Sequence, residues 1–468
     1  MMSRIIKILY VSAEISPYAN AGGLGEVARG FPRALCQEES VEVRRVMPLY
    51  KQVNKELTYL CDYPVCMEKS YESCVLKVDS YDKRIPTYFI GNARYFYRDH
   101  IYAYEDDGAR FFFFCKAVVR MLEEINYVPD IIHLNDWHTG FLPILLKNMY
   151  PKIKTVFTIH NISYHGFIPY SYLSNLLYDK EAKELGYPED LNFMKAGILY
   201  SDIVTTVSPG YANEIMMAPK DTGMEEVLKQ CSSPIIPILN GIEIDSYNPG
   251  KVGEIAYPYD INTLEEKKKN RSLLRKELGL IDTKKPLVAM VTRLEYEKGI
   301  DLVIKAISYL DMSALQLVIL GSGKSYYQGM LEEISKGYRE SMVYISDYDS
   351  GLAKKIYAAA DIYLMPSKYE PCGLGQLYAM RYGAIPIVNP VGGLRDTVIF
   401  QEEEPEISSG FYMEEWTGES LYKSIRLAVR TYYTKSWECM MKNAMMFDSS
   451  WGRSVQGYYN LYRNLIME

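Results

Sequence analysis

The stretch Asp130–Asn161, "DIIHLNDWHTGFLPILLKNMYPKIKTVFTIHN", holds two short apolar runs, "DIIHL" and "KTVFTI", on either side of a segment of helical length. Continuous apolar strands alternating with helices belong to parallel sheets covered on both faces. The rhythm extends outward through "IIKILYVSA", "VEVRRVMPLY" and "IPTYFIG" upstream and "DIVTTVSP" and "IIPILNG" downstream. It restarts at Pro286 with "PLVAMVTR", "LQLVILGSG", "SMVYISDY", "DIYLMPS" and "AIPIVNP". Two such series predict an α/β protein with two Rossmann-like domains. Between them lies Asn240–Arg271, rich first in turn formers and then in charge, which puts the boundary near residue 245. The expected domains are residues 1–245 and 246–468, with a last helix at about 452–468 packing back on the first. Ligands of open α/β sheets sit beyond the carboxyl ends of the strands. Two facing sheets therefore predict a deep cleft between the domains.

A chain of 468 residues exceeds one ordinary core, in keeping with two domains. Its net charge of −7 argues against nucleic acid or an anionic membrane as the main partner. No apolar run is long enough to span a bilayer, and the start "MMSRIIKILYVSAE" is soon interrupted by Glu14, so a cytoplasmic protein is expected. The eight cysteines show no CxxC spacing, which suggests neither a disulfide framework nor a zinc ribbon.

Polar residues that do chemistry should follow the strands, and several do: Asp136 and His138, His160, Arg293 and Glu370. Four of the five histidines fall between His133 and His165. His133, inside an apolar run, reads as a packing residue, and the spacing of His133 and His138 does not suit a metal. Arg293 and Lys298, five residues apart across a short loop, can aim two cations at one point. In "EPCGLGQLYAMRYGAIPI", Glu370 is followed by Cys372, Gly373 and Leu374 at a helix start, where free N–H groups and the helix dipole make a seat for a diphosphate. "SAEISPYANAGGLGEVARG", Ser12–Gly30, is a second candidate phosphate loop. Its GxGxxA at Gly23, Gly25 and Ala28 is not a dinucleotide fingerprint, because "EISPYANA" separates it from the preceding strand.

The strings "GGLGEV", "NDWHTG", "TIHNISYHG", "MKAG", "TTVSPGYANEI", "LNGI", "VTRLEYEKG", "SKYEPCGLGQLYAMRYG", "GGLRDTV" and "SSWGRSVQGYYNLY" resemble, in order and across nearly the whole chain, bacterial glycogen synthase and plant starch synthase. The resemblance implies a GT-B glycosyltransferase that moves glucose from ADP-glucose to the non-reducing end of an α-1,4-glucan, with retention of configuration and with no metal or other cofactor. It implies that Glu370 contacts a donor-glucose hydroxyl, that His160 holds the sugar, and that Asp136 lies on the acceptor side. Arg293, Lys298, Cys372, Gly373 and Leu374 would meet the diphosphate, Tyr348 the base, and Asn240 the donor. The loop of Gly22 and Gly23 would cover the diphosphate, positioned by Glu14 and Glu26.

Two departures from the family pattern stand out. The first loop has Asn20 where the family carries a lysine, so Asn20→Lys is expected to raise kcat/KM. A second glutamate found in related transferases is replaced by Tyr378, as is usual in this family. Alternatives are a same-fold retaining transferase using UDP-glucose or a small acceptor, and a non-catalytic paralogue that binds nucleotide sugar or glucan. "EDDG", Glu105–Gly108, reads as a solvated turn and not as a metal-binding D-x-D cluster.

Overall fold

Strand β1 (Ile6–Val11) is buried at five of its six positions, as a strand covered on both faces must be. The computed structural model describes residues 4–68, 70–174, 176–186, 188–217, 223–231, 234–253 and 255–467. The chain divides into two compact units, Met1–Gly241 with Trp451–Glu468, and Ile242–Ser450.

In the first unit β1 is followed by β2 (Val41–Pro48), β3 (Thr58–Cys66), β4 (Tyr71–Asp79), β5 (Thr87–Gly91), β6 (Ile131–Asn135) and β7 (Lys154–Ile159). The short β8 (Phe167–Ile168) and β9 (Leu191–Asn192) pair with each other, and β10 (Ile203–Thr206) and β11 (Ile236–Pro237) complete the main sheet. Its order is β11-β10-β7-β6-β1-β2-β5-β4-β3. Asp130–Asn161 folds as β6, the short turn Trp137–Thr139, the helix Leu142–Met149 and β7, with Ile131 in register with Lys154.

One edge of this sheet departs from the parallel arrangement. β3 pairs antiparallel with β4, and β4 with β5. Tyr63 and Val65 of β3 are buried while Asp62, Pro64 and Cys66 are not, the alternation of a sheet with one wet face. "EDDG" begins as the expected turn, with Glu105 exposed, and departs from that reading at its second half. Asp107 opens the helix Asp107–Glu124 and pairs with the buried Arg110, and Asp106 pairs with Arg98 at 2.6 Å.

The second unit holds β12 (Leu287–Val291), β13 (Gln316–Leu320), β14 (Met342–Ile345), β15 (Ile362–Met365), β16 (Ile385–Val388) and β17 (Phe411–Tyr412). All neighbours are parallel, in the order β14-β13-β12-β15-β16-β17. Strand order reverses between β1 and β6 in the first sheet and between β12 and β15 in the second. Ligands of open α/β sheets bind at such switch points, and Glu14, Asp136, Arg293 and Glu370 follow these four strands, while His160, Asn240 and Tyr348 follow β7, β11 and β14.

Candidate active site

The segment after β1 runs from Ser12 to the helix Gly23–Leu35. Glu14, buried in this segment, accepts hydrogen bonds from the N–H groups of Ala21 (2.7 Å) and Gly22 (3.1 Å) and from the hydroxyl of Tyr102 (2.6 Å). Asn20 spans the same loop: its Oδ1 accepts from Gly22 N–H at 3.0 Å and its Nδ2 donates to Glu26 at 3.0 Å. A Cβ on Gly25 would stand 2.8 Å from Asn20 Oδ1, so the glycine makes room for that side chain. The N–H of Gly22 is thus committed inside the loop. That of Gly23, at the helix start, has no acceptor among the described residues.

Beyond β6, Asp136 adopts a positive φ of 57°, uncommon for a residue other than glycine and a kind of strain that clusters at functional sites. Its Oδ1 accepts from the N–H groups of His160 (2.8 Å) and Asn161 (3.1 Å), which ties the end of β6 to the end of β7. Burial pushes its carboxyl up to about 7, against those two hydrogen bonds, and the nearby Glu14 adds to the rise.

His160 Nε2 lies 2.9 Å from Asn135 Oδ1. Asn135 Nδ2 donates to the Val11 carbonyl, so Oδ1 must accept, both from Tyr10 (2.8 Å) and from His160. The network puts the His160 proton on Nε2 and leaves Nδ1 as the acceptor. Desolvation pushes the ring down to about 3, so it is neutral at physiological pH. His133 is a packing residue, with its nitrogens against Thr158 Oγ1 (2.7 Å) and Tyr462 Oη (2.5 Å). His138 is buried beside Trp137, Tyr102 and Phe111, and its Nδ1 has no partner among the described residues. Among those residues no group of three His, Cys, Asp or Glu side chains could hold a metal ion. Asn240 is buried near the end of this unit.

In the second unit Arg293 follows β12, is exposed, and makes no side-chain hydrogen bond or ion pair among the described residues. Lys298 is not a lone cation. Its ammonium meets Glu370 Oε2 at 2.7 Å, and the hydroxyl of Ser367 donates to the same oxygen at 2.8 Å. After Glu370 the backbone turns through Cys372 and Gly373 into the helix Gly375–Arg381. Gly373 has a φ of +75°, the left-handed region where glycine costs least, and a Cβ there would lie 2.4 Å from Gln376 Oε1. The N–H groups of Gly373 and Leu374 have no acceptor among the described residues. Cys372 is buried and its carbonyl accepts from Gln376 Nε2 at 3.0 Å. Tyr348, beyond β14, is exposed. Tyr378 stacks on Tyr247 at 3.8 Å, a packing role that fits its standing where other transferases have a carboxylate.

Each unit thus gathers its own set. In the first, Glu14 and Gly22 in the loop after β1 stand with Gly23 and Glu26 at the start of the helix that follows, and Asp136 and His160 meet at β6 and β7. In the second, Lys298 and Glu370 touch. Tyr102, Asn135 and Ser367 were missed. Asn135 and Ser367 stand one and three residues from residues that were named, a usable signal. Tyr102 reaches Glu14 from 88 positions away, and nothing local announces it.

Two Rossmann-like units with polar side chains grouped beyond their parallel strands define the class of architecture, a two-domain α/β protein with its polar groups where such sheets bind ligands. Residues 7–230 match the family described as starch synthase catalytic domain, and residues 272–443 match glycosyl transferases group 1. The chain is 39% identical to the glycogen synthase of Moorella thermoacetica, over 99% of this chain and 98% of that one. It is 40% identical to the glycogen synthase of Clostridium beijerinckii, over 98% and 99%. The solved catalytic domain of starch synthase IV from Arabidopsis thaliana, bound to ADP and acarbose, matches with a TM-score of 0.92 at 31% identity, covering 100% of both chains. The chain belongs to the glycogen synthase and starch synthase family of glycosyltransferases. Among its described residues no helix is long and apolar enough to cross a membrane.

Proposed function

We propose that the protein transfers glucose from ADP-glucose to the non-reducing end of an α-1,4-glucan, with retention of configuration. The observation that carries the reading is the group in the second unit: the uncommitted cation Arg293, the Lys298–Glu370 pair, and the open N–H groups of Gly373 and Leu374. Loss of a nucleoside diphosphate develops negative charge, and preorganised positive groups and N–H donors stabilise it where it forms. Arg293, Lys298 and the two N–H groups take that role, so the reading calls for no metal or other cofactor.

Glu370 accepts from a hydroxyl of the donor glucose. Neutral His160 holds the sugar, Asp136 serves the acceptor side, Asn240 contacts the donor, and Tyr348 stacks on the base. Cys372 shapes the diphosphate turn, and Glu14 and Glu26 position the loop of Gly22 and Gly23. A nucleotide-sugar donor suits a cytoplasmic enzyme. The test is incorporation of labelled glucose into glycogen from ADP-glucose and, in parallel, from UDP-glucose. Preferential use of ADP-glucose is expected. Incorporation from UDP-glucose alone would replace the donor, and incorporation from neither would favour a binding protein.

A further inference from the structure

The carboxylate of Glu370 is held unevenly. Oε2 receives both Lys298 Nζ at 2.7 Å and Ser367 Oγ at 2.8 Å, whereas Oε1 has no partner among the described residues. Ser367 is itself fixed, since it is 1% exposed and its carbonyl accepts from Asn389 Nδ2 at 2.9 Å. The Glu370 backbone is fixed too. Its carbonyl accepts from Gly393 N–H at 3.1 Å, and a Cβ on Gly392 would come within 2.1 Å of that oxygen. With the main chain held, what remains free is rotation of the carboxylate. Lysine is a flexible point charge that can follow either oxygen, while a buried hydroxyl three residues away reaches only one.

We infer that Ser367 is a positioning residue that selects the carboxylate oxygen Glu370 turns to the donor sugar, keeping Oε2 on Lys298 and leaving Oε1 for a sugar hydroxyl. The inference rests on the reading that Glu370 contacts the donor. A misaimed acceptor costs rate because reaction requires near-attack geometry, and it costs selectivity because a hydrogen-bonding site rejects a sugar whose hydroxyl points elsewhere.

The experiment measures kcat and KM for ADP-glucose and ADP-galactose, with thermal unfolding, for Ser367→Ala, Ser367→Cys, Ser367→Thr and Glu370→Ala. Removing one hydrogen bond to a charged group should lower kcat/KM for ADP-glucose about tenfold in Ser367→Ala, and the preference over ADP-galactose should narrow. Ser367→Cys, close in volume but a weak donor, should fall with it, while Ser367→Thr keeps the hydroxyl and should stay within about threefold of wild type. A purely structural role would shift unfolding and leave the epimer preference alone. Folded Ser367→Ala or Ser367→Cys with wild-type kcat/KM and preference, beside an inactive Glu370→Ala, would overturn the inference and spare the role of Glu370. An active Glu370→Ala would remove both.

Discussion

Asp136 carries a pH signature that can be separated from its chemistry. With its carboxyl pushed up to about 7, the folded state binds the proton more tightly than the unfolded chain, whose value is about 4. The stability this contributes is complete below about 4 and is lost as pH rises through about 7. Asp136→Asn removes the titration and keeps an acceptor for the two N–H groups. Thermal scans should therefore show the variant gaining on wild type at pH 8 and not at pH 4, while activity falls. An equal shift at both pH values would mean that Asp136 does not titrate in this range.

Arg293 needs no such dissection. Arg293→Ala should lower kcat by roughly 10²–10³, the scale for one preorganised charge-stabilising group, with unfolding little changed. A variant retaining half its turnover would take Arg293 out of the site. For Asn20 the hydrogen bonds of the loop argue for the opposite outcome to the one expected from sequence. Its amide caps Gly22 N–H and meets Glu26, and lysine has no acceptor to replace the first bond. Loss of about 1 kcal/mol predicts that Asn20→Lys lowers kcat/KM for ADP-glucose several-fold. A several-fold rise would restore the view that the loop wants a cation.

At the scale of elements, the helix Gly452–Met467 shows how packing decides what composition leaves open. Tyr458 and Tyr462 turn inward, and Tyr462 shares a hydrogen bond with buried His133 while Tyr458 packs on Phe31. Tyr462→Phe leaves a ring nitrogen of His133 unsatisfied and should destabilise the first unit by about 1–3 kcal/mol, readable by thermal or urea unfolding. No change would mean that His133 finds another partner. Legibility follows the same line. The strands β1, β6, β7, β12 and β15 and the residues ending them could be read because buried parallel strands are continuous apolar runs. The hairpin of β3 and β4 could not, since its half-wet alternation is interrupted by Tyr59 and Leu60 on the exposed side. The committed N–H of Gly22 was equally hidden, because a glycine string shows that a close turn is possible and not which acceptor takes its N–H. Ser367 lay in plain view in "PSKYE", yet only the fold turns its hydroxyl onto Glu370.

For the whole molecule, the family assignment rests on matches that run the length of the chain. In the proposed mechanism side chains and N–H groups supply the positive charge, so treatment with EDTA should leave the transferase rate unchanged. Loss of activity restored by Mg²⁺ or Mn²⁺ would require a different account of leaving-group stabilisation. The most direct test of the central claim is product analysis after incubation with ADP-glucose and a maltooligosaccharide, using mass spectrometry for chain length and NMR for the new linkage. The account predicts a ladder of products longer by single hexoses, each joined α-1,4 at the non-reducing end. Free glucose without chain growth, or a β-linked product, would contradict it.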